Sequence, residues 1–184
     1  MSLSGDGGPG AVPLPGRPAM PSGDGPMSQS DEGPGLRWAW QRFADLGVDG
    51  VYDLLALRAA VFVVEQTCAY LDPDGLDRHS WHLLGRGAGG ALQACLRVVD
   101  PGLKYAEPSL GRVVLAQPLR GSGLADTLVA EGLRRCDAAW PGRANRISAQ
   151  AHLQRFYARH GYQPVGDRYD EDGIPHIQMW RPAP

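Results

Sequence analysis

The amino-acid sequence predicts one mixed α/β domain, and three observations carry that expectation. Strand-like and helix-like apolar periods succeed one another in the order β, α, three β, α, β, α, two β. A β-branched run, Val113 to Ala116, leads through Pro118 and the turn Gly121-Ser122-Gly123 directly into a long amphipathic helix. The chain has 184 residues and is 43% apolar, enough for one sizeable core.

Each element has its own signal. Residues 1–34 are dense in Gly, Pro, Ser and Asp with hardly any large apolar side chain, so a disordered tail is expected there and a folded domain over 35–184. Trp38, Trp40 and Phe43 suit a first strand. Asp49 is placed to cap a helix reaching Val61, with Val51, Leu54, Leu55, Arg58 and Phe62 at helical spacing. The run Val61 to Val64 is apolar all round and is expected to be buried, ending at Glu65-Gln66. Residues 67–79 form an acidic loop with Asp72, Asp74 and Asp77. It is not a calcium loop, because Gly75 comes too early and no Glu stands at the twelfth position. Ser80 to Arg86 and Ala91 to Val99 read as a hairpin across Gly87-Ala-Gly-Gly90. After a loop over 100–108 comes the strand Val113 to Ala116. The long helix runs from near Gly123 to Trp140, with Leu124, Leu128, Val129, Leu133 and Cys136 on one face and Pro141-Gly142 as its stop. Arg146 to Ala149 is a short strand, and Leu153 to His160 a short helix with Gly161 at C′. Gln163 to Tyr169 and His176 to Arg181 close the domain around the acidic turn 170–173.

Composition excludes several classes. Net charge is −2, which leaves no basic footprint for nucleic acid. No apolar run reaches the length of a membrane span, and no charged segment followed by an apolar one marks a secretory signal. Cys68, Cys95 and Cys136 are odd in number and share no C-x-x-C spacing, which argues against a disulfide framework and for a reducing cytoplasm. His79 and His82 lack a third ligand at fitting spacing, so no metal site is expected.

The strand–turn–helix unit points several backbone N–H groups at one place, where the helix dipole adds positive charge; its favoured occupant is an anion such as a pyrophosphate. A nucleotide-triphosphate loop would need a Lys after the glycines, and none is present. A dinucleotide fingerprint would need a third Gly where Asp126 stands. What remains is Arg120-x-x-Gly123-x-Ala125, an outline that an ordinary strand-to-helix turn shares.

Together with Phe156-Tyr157-x-x-x-Gly161-Tyr162 and the order of elements, that loop resembles the GNAT acetyltransferase superfamily. Leu57-Arg-x-x-Val-Phe-Val-Val-Glu-Gln66, Ala149-Gln-Ala-His-Leu-Gln154 and Glu171-Asp-Gly-Ile-Pro-His-Ile177 are similar to the ElaA-like acetyltransferases within it. The resemblance covers roughly residues 36–182. It implies an acyl-CoA N-acyltransferase fold, a mixed and mostly antiparallel sheet flanked by helices, whose strands splay to admit pantetheine. It implies acetyl-CoA as co-substrate, an amine as acceptor, and a monomer or homodimer.

Four tasks follow from transferring acetyl from a thioester to an amine: hold the cofactor, neutralise the amine, stabilise the oxyanion, and release the thiolate. Under the resemblance, Arg120, Gly121, Ser122, Gly123, Leu124 and Ala125 hold the pyrophosphate, with Gly121 and Gly123 allowing close approach. Val113, Val114 and Leu115 pair with pantetheine, and a backbone N–H near Leu115 is the candidate oxyanion donor. Tyr157 is the candidate acid for the departing thiolate. For the base, Glu65 comes first, at the end of a buried run and with an expected raised pKa; His176 is second and His152 third, and a water chain is a further option. The acidic loops around Asp72, Asp74 and Asp77 and around Asp170, Glu171 and Asp172 suggest a cationic acceptor. A CoA-binding or partner-binding module without turnover is the alternative, and a transferase of longer acyl groups a third. The segment Glu171 to Ile177 serves either acceptor binding or a dimer edge.

Overall fold

The computed structural model describes residues 35–68 and 70–184; the expected tail over residues 1–34 lies outside them. Among the described residues, seven strands form two sheets. The first has the order β1-β2-β3-β4, all antiparallel, from β1 (Arg37–Arg42), β2 (Ser80–Arg86), β3 (Leu92–Val99) and β4 (Ser109–Leu115). The second has the order β5-β7-β6, also antiparallel, from β5 (Asn145–Gln150), β6 (Gln163–Glu171) and β7 (Ile174–Arg181). The helices α1 (Gly47–Arg58), α2 (Leu124–Ala139) and α3 (Gln154–Arg159) complete the α/β domain.

Alternation along the strands splits the core in two. Leu84, Cys95 and Val114 face α1 and bury Leu54, Val61 and Phe62. Leu83, Ala94, Leu96 and Leu115 face the other way and meet Leu124, Leu128, Val129, Leu133 and Cys136 of α2, the helix face that periodicity predicts. Gly132 lies at this contact, and a Cβ there would stand 2.5 Å from Leu96 Cδ2. Gly132→Val is therefore expected to lose about 2 kcal/mol of stability through overpacking, read from the urea midpoint.

Four elements differ from expectation. Helix α1 opens on Gly47, at φ +66°, so Asp49 lies in its first turn instead of capping it. Beyond Arg58 the chain continues as a π-helical segment, Ala59–Glu65, in which Val61 and Phe62 are buried while Val64 is 76% exposed and Val63 also faces out. One face of a single helical segment meets the sheet, so four consecutive apolar residues cannot all be buried. Strand β4 begins at Ser109, four residues before Val113, because Ser109 and Leu110 are buried and pair with Val99 and Val98. The β6–β7 hairpin is tighter than a 170–173 turn: Asp172 at φ +55° and Gly173 at φ +78° make a two-residue Asp-Gly connection, and both strands extend to meet it.

Candidate active site

The site is built where the two sheets part. Arg146 N of β5 donates to the Pro108 carbonyl at 3.2 Å, joining the starts of β4 and β5. Beyond that bond the strands belong to different sheets, and β5 pairs only with β7 among the described residues. A bulge in β4 turns it away: Arg112 and Val113 together stand opposite Leu96, and Arg112 takes φ +50°. Ala116 N donates to Gln93 O of β3 at 2.8 Å. Backbone groups alternate sides along a strand, so those of Val114 turn to β3, while those of Val113 and Leu115 turn to the gap beside β5.

The Gly-rich turn follows at the end of this gap. Gly121 and Gly123 have φ of +75° and +84°, which only glycine adopts readily, and Gly123 is the residue from which α2 starts. The amides of Gly121, Ser122, Gly123, Leu124 and Ala125 have no hydrogen-bond partner among the described residues. Five successive unpartnered N–H groups at the start of a 16-residue helix are an arrangement suited to holding an anion.

Arg120 is differently engaged from the expected phosphate contact. Its Nε and Nη2 donate to the Leu115 carbonyl at 3.1 and 3.0 Å, and its Nη1 and Nη2 pair with Glu65. The arginine thus ties the end of the π-helical segment to the end of β4. This pairing overturns the raised pKa expected for Glu65. The hydrogen bond from Arg120, helped by its charge, holds the carboxyl below its ordinary range against the opposing effect of desolvation. An ionised, arginine-paired Glu65 is a poor proton acceptor.

Tyr157 projects from α3 into the larger core, edge-on to Phe156 and Tyr162 at 5.1 and 5.8 Å between ring centroids. Burial pushes its hydroxyl up to about 12, so it stays protonated at neutral pH. His176 sits on the other side of the second sheet, opposite Gln150 and Tyr169. Its Nδ1 donates to the Ile174 carbonyl at 2.8 Å, and its ring lies over Tyr169. His152 and Arg168 line a cleft of about 390 Å³ with Ala151, Ile174 and Pro175.

The model of the acetyltransferase (GNAT) domain matches residues 102–181, from the loop before β4 to the end of β7. A UPF0039 protein of Synechocystis is 47% identical over 78% of this chain and 94% of its own length. Protein ElaA of Escherichia coli is 40% identical over 79% of this chain and 96% of its own. The chain belongs to the ElaA-like branch of the GNAT acetyltransferase family. Among solved structures, an acyl-CoA N-acyltransferase from Pseudomonas aeruginosa is similar at TM-score 0.76 and 42% identity, over 79% of this chain and 99% of that one. The E. coli ElaA structure is similar at TM-score 0.74 and 39% identity, over the same shares.

Within this GNAT domain the acidic loop 67–79 is structural. Arg58 of α1 is fully buried and donates to Asp72 Oδ2 at 2.8 Å, Asp77 Oδ1 at 2.7 Å and the Asp72 carbonyl at 3.0 Å. Arg97 of β3 binds both oxygens of Asp74 at 2.7 Å and Asp77 Oδ1 at 2.9 Å. Arg112, at the β4 bulge, lies 2.7 Å from Asp72 Oδ1 as an ion pair and donates to the Asp72 carbonyl at 3.2 Å. Asp72, Asp74 and Asp77 are therefore matched by Arg58, Arg97 and Arg112, and they offer no net charge to a cationic acceptor. That expectation rests now on the other loop alone.

The second sheet holds residues that sequence reasoning passed over. Its core face carries Ile147, Ala149, Ile177 and Met179. The opposite face carries Arg146, Ser148 and Gln150 of β5 with His176 and Gln178 of β7, all half-buried. Ser148 Oγ donates to Glu171 Oε2 at 2.7 Å and lies 2.5 Å from the Tyr169 hydroxyl. The strict alternation of Asn145 to Gln150 shows in the sequence that Ser148 opposes the core side. Its partnership with Glu171 depends on the β6–β7 register and has no local signal. No group of three or more His, Cys, Asp or Glu among the described residues is arranged to hold a metal ion.

Proposed function

We propose that this chain is an N-acetyltransferase that moves acetyl from acetyl-CoA directly onto a primary amine. The five unpartnered amides of residues 121–125, at the end of a strand parted from its neighbour, are the observation that carries this reading. They suit the pyrophosphate of CoA. Val113 then offers its backbone groups and Leu115 its N–H to the pantetheine arm, the Leu115 carbonyl being held by Arg120, and Val114 contributes its side chain to the core beneath it. An N–H of Val113 or Leu115 is the oxyanion donor of this mechanism. Tyr157 gives its proton to the departing thiolate. Its elevated pKa makes it a weak acid that nevertheless always carries its proton at neutral pH. Attack is direct, through a tetrahedral intermediate. Three buried, unpaired cysteines fit a reducing cytoplasm as the place of action.

Calorimetry with acetyl-CoA, followed by release of free CoA against a panel of amines, tests the reading. Saturable binding with amine-dependent release is the expected outcome. Binding without release from any amine would favour a CoA-sensing module, and absence of binding would remove the assignment of residues 121–125.

A further inference from the structure

Strand β4 holds a backbone conformation that its own residue type opposes. Three non-glycine residues among those described have positive φ, and two of them, Thr67 and Asp172, stand in connections. Arg112, at φ +50°, stands inside a strand. A Cβ is crowded by the backbone in that region, so the conformation persists only where its surroundings hold it. The surroundings here are specific. The Arg112 Cζ lies 5.6 Å from the Tyr70 ring centroid and 5.9 Å from that of Phe62. Its Nε is 2.7 Å from Asp72 Oδ1, and its Nη2 donates to the Asp72 carbonyl at 3.2 Å and to Asp74 Oδ2 at 3.3 Å. Asp72 is fixed in turn, because its Oδ2 accepts from Nε of the fully buried Arg58 at 2.8 Å. The loop 67–79 therefore grips β4 at its bulge.

That grip bears on the direction of the peptide groups that follow. One extra residue in β4 shifts every later one by a place against β3: Arg97 faces Gly111, but Cys95 faces Val114. Without the bulge Val113 would face Cys95 and turn its backbone inward to β3, as Val114 does. With it, Val113 and Leu115 turn theirs to the gap beside β5.

We propose that Arg112 and Asp72 are positioning residues for acetyl transfer, and that their ion pair holds the bulge that aims the Val113 and Leu115 amides at the thioester carbonyl. The proposal rests on the acetyl-transfer reading above. As the amine nitrogen bonds to the thioester carbon, the carbonyl π pair moves onto oxygen, where an N–H of Val113 or Leu115 meets the new charge. The pair returns as the C–S bond breaks, and the sulfur leaves with the electrons of that bond. Arg112 and Asp72 act on these steps only through the path of the strand.

The test measures kcat and acetyl-CoA affinity for the wild-type chain, Arg112→Ala and Arg112→Gly, by CoA release with an amine the wild type accepts and by calorimetry. Both variants remove the same contacts to Asp72, so both should lose stability alike in urea. Glycine adopts the left-handed conformation freely and alanine does not. Arg112→Ala should therefore lose about 100-fold in kcat, the size of a missing oxyanion donor, and Arg112→Gly should recover about tenfold of it. Acetyl-CoA affinity should be unchanged in both, because the amides of residues 121–125 hold the pyrophosphate apart from the bulge. Asp72→Asn keeps the volume and an acceptor for Arg58 and removes the charge that faces Arg112. It should lose about tenfold in kcat, less than the loss of a whole donor, and it decides the matter if Arg112→Ala does not fold. An unaltered kcat in Arg112→Ala or Asp72→Asn, equal losses in the alanine and glycine variants, or a fall in acetyl-CoA affinity that matches the fall in kcat would leave Arg112 a structural role alone and overturn the proposal. Absence of wild-type release with every amine would instead overturn the transfer reading itself, and the proposal with it.

Discussion

Replacing Arg58 with alanine is expected to remove about 3–5 kcal/mol of folding stability, the usual result of breaking a buried ion pair from one side. Arg58 makes hydrogen bonds to Asp72 and Asp77 from a fully buried position, and both carboxylates are themselves almost wholly buried. Without the guanidinium, Asp72, Asp74 and Asp77 are left with only Arg97 and Arg112, so one buried negative charge goes uncompensated. Urea denaturation at pH 7 measures the loss. A drop under about 1 kcal/mol would mean that the network is solvated, unlike what its burial implies. An Arg58→Met variant separates the two contributions: it refills the volume, so any remaining deficit belongs to the stranded carboxylates.

The same network fixes the sign of the pH dependence. Desolvation raises Asp77, but hydrogen bonds and charge from Arg58 and Arg97 more than reverse it, so its folded pKa lies below the ordinary value. Its stabilising effect is complete above the unfolded carboxyl pKa near 3.9 and is lost as pH falls through the lower folded value. His82 acts earlier. Burial pushes it down to about 4, and its Nε2 donates to the Asp77 carbonyl at 3.2 Å. Between pH 6.5 and about 4 the unfolded chain takes up a proton that the folded chain refuses, so stability falls across that window as acid is added. His82→Gln should flatten the decline between pH 6.5 and about 4 while leaving the steeper loss at lower pH in place.

These particular residues also mark where the fold was legible in the sequence. The α2 face and the strand–turn–helix unit could be read because each depends on a local period or on glycine chemistry within a few positions. Glycine is the residue type that permits the positive φ of Gly121 and Gly123, and its place between a strand and a helix signals the turn. Arg58 is a different case: its place among apolar residues at helical spacing marks it as buried, but its partners lie 14 and 19 residues on, in a loop whose charges look solvated when taken alone. Glu65 likewise looks, at the end of an apolar run, like a carboxylate facing a cleft with a raised pKa until Arg120, 55 residues away, is brought beside it. Ser148 and Glu171 meet only because β7 lies between β5 and β6 in the sheet order. Charge pairing across long sequence separations has no periodic signature, so the elements of the site could be read from the chain but its electrostatics could not.

Substituting Gly123 by valine is expected to weaken acetyl-CoA binding at least tenfold, or about 1.4 kcal/mol. Gly123 sits at φ +84°, and a Cβ there would meet nothing within 4 Å, so the variant is opposed by backbone strain and not by a clash. A β-branched residue leaves the left-handed region at a gain of about 1–2 kcal/mol, and in doing so it rotates the amides of Gly123 and Leu124 out of that arrangement. The strain alone would also lower stability, so a matched control is needed. Gly142→Val provides it: Gly142 lies past the other end of α2 at φ +71°, again with nothing within 4 Å of a Cβ. Both variants should lose similar stability in urea, but only Gly123→Val should lose affinity by calorimetry. Equal loss of affinity in the two would mean that general loosening of α2 governs binding, and the five amides at its start would no longer support the proposed acetyl-CoA site.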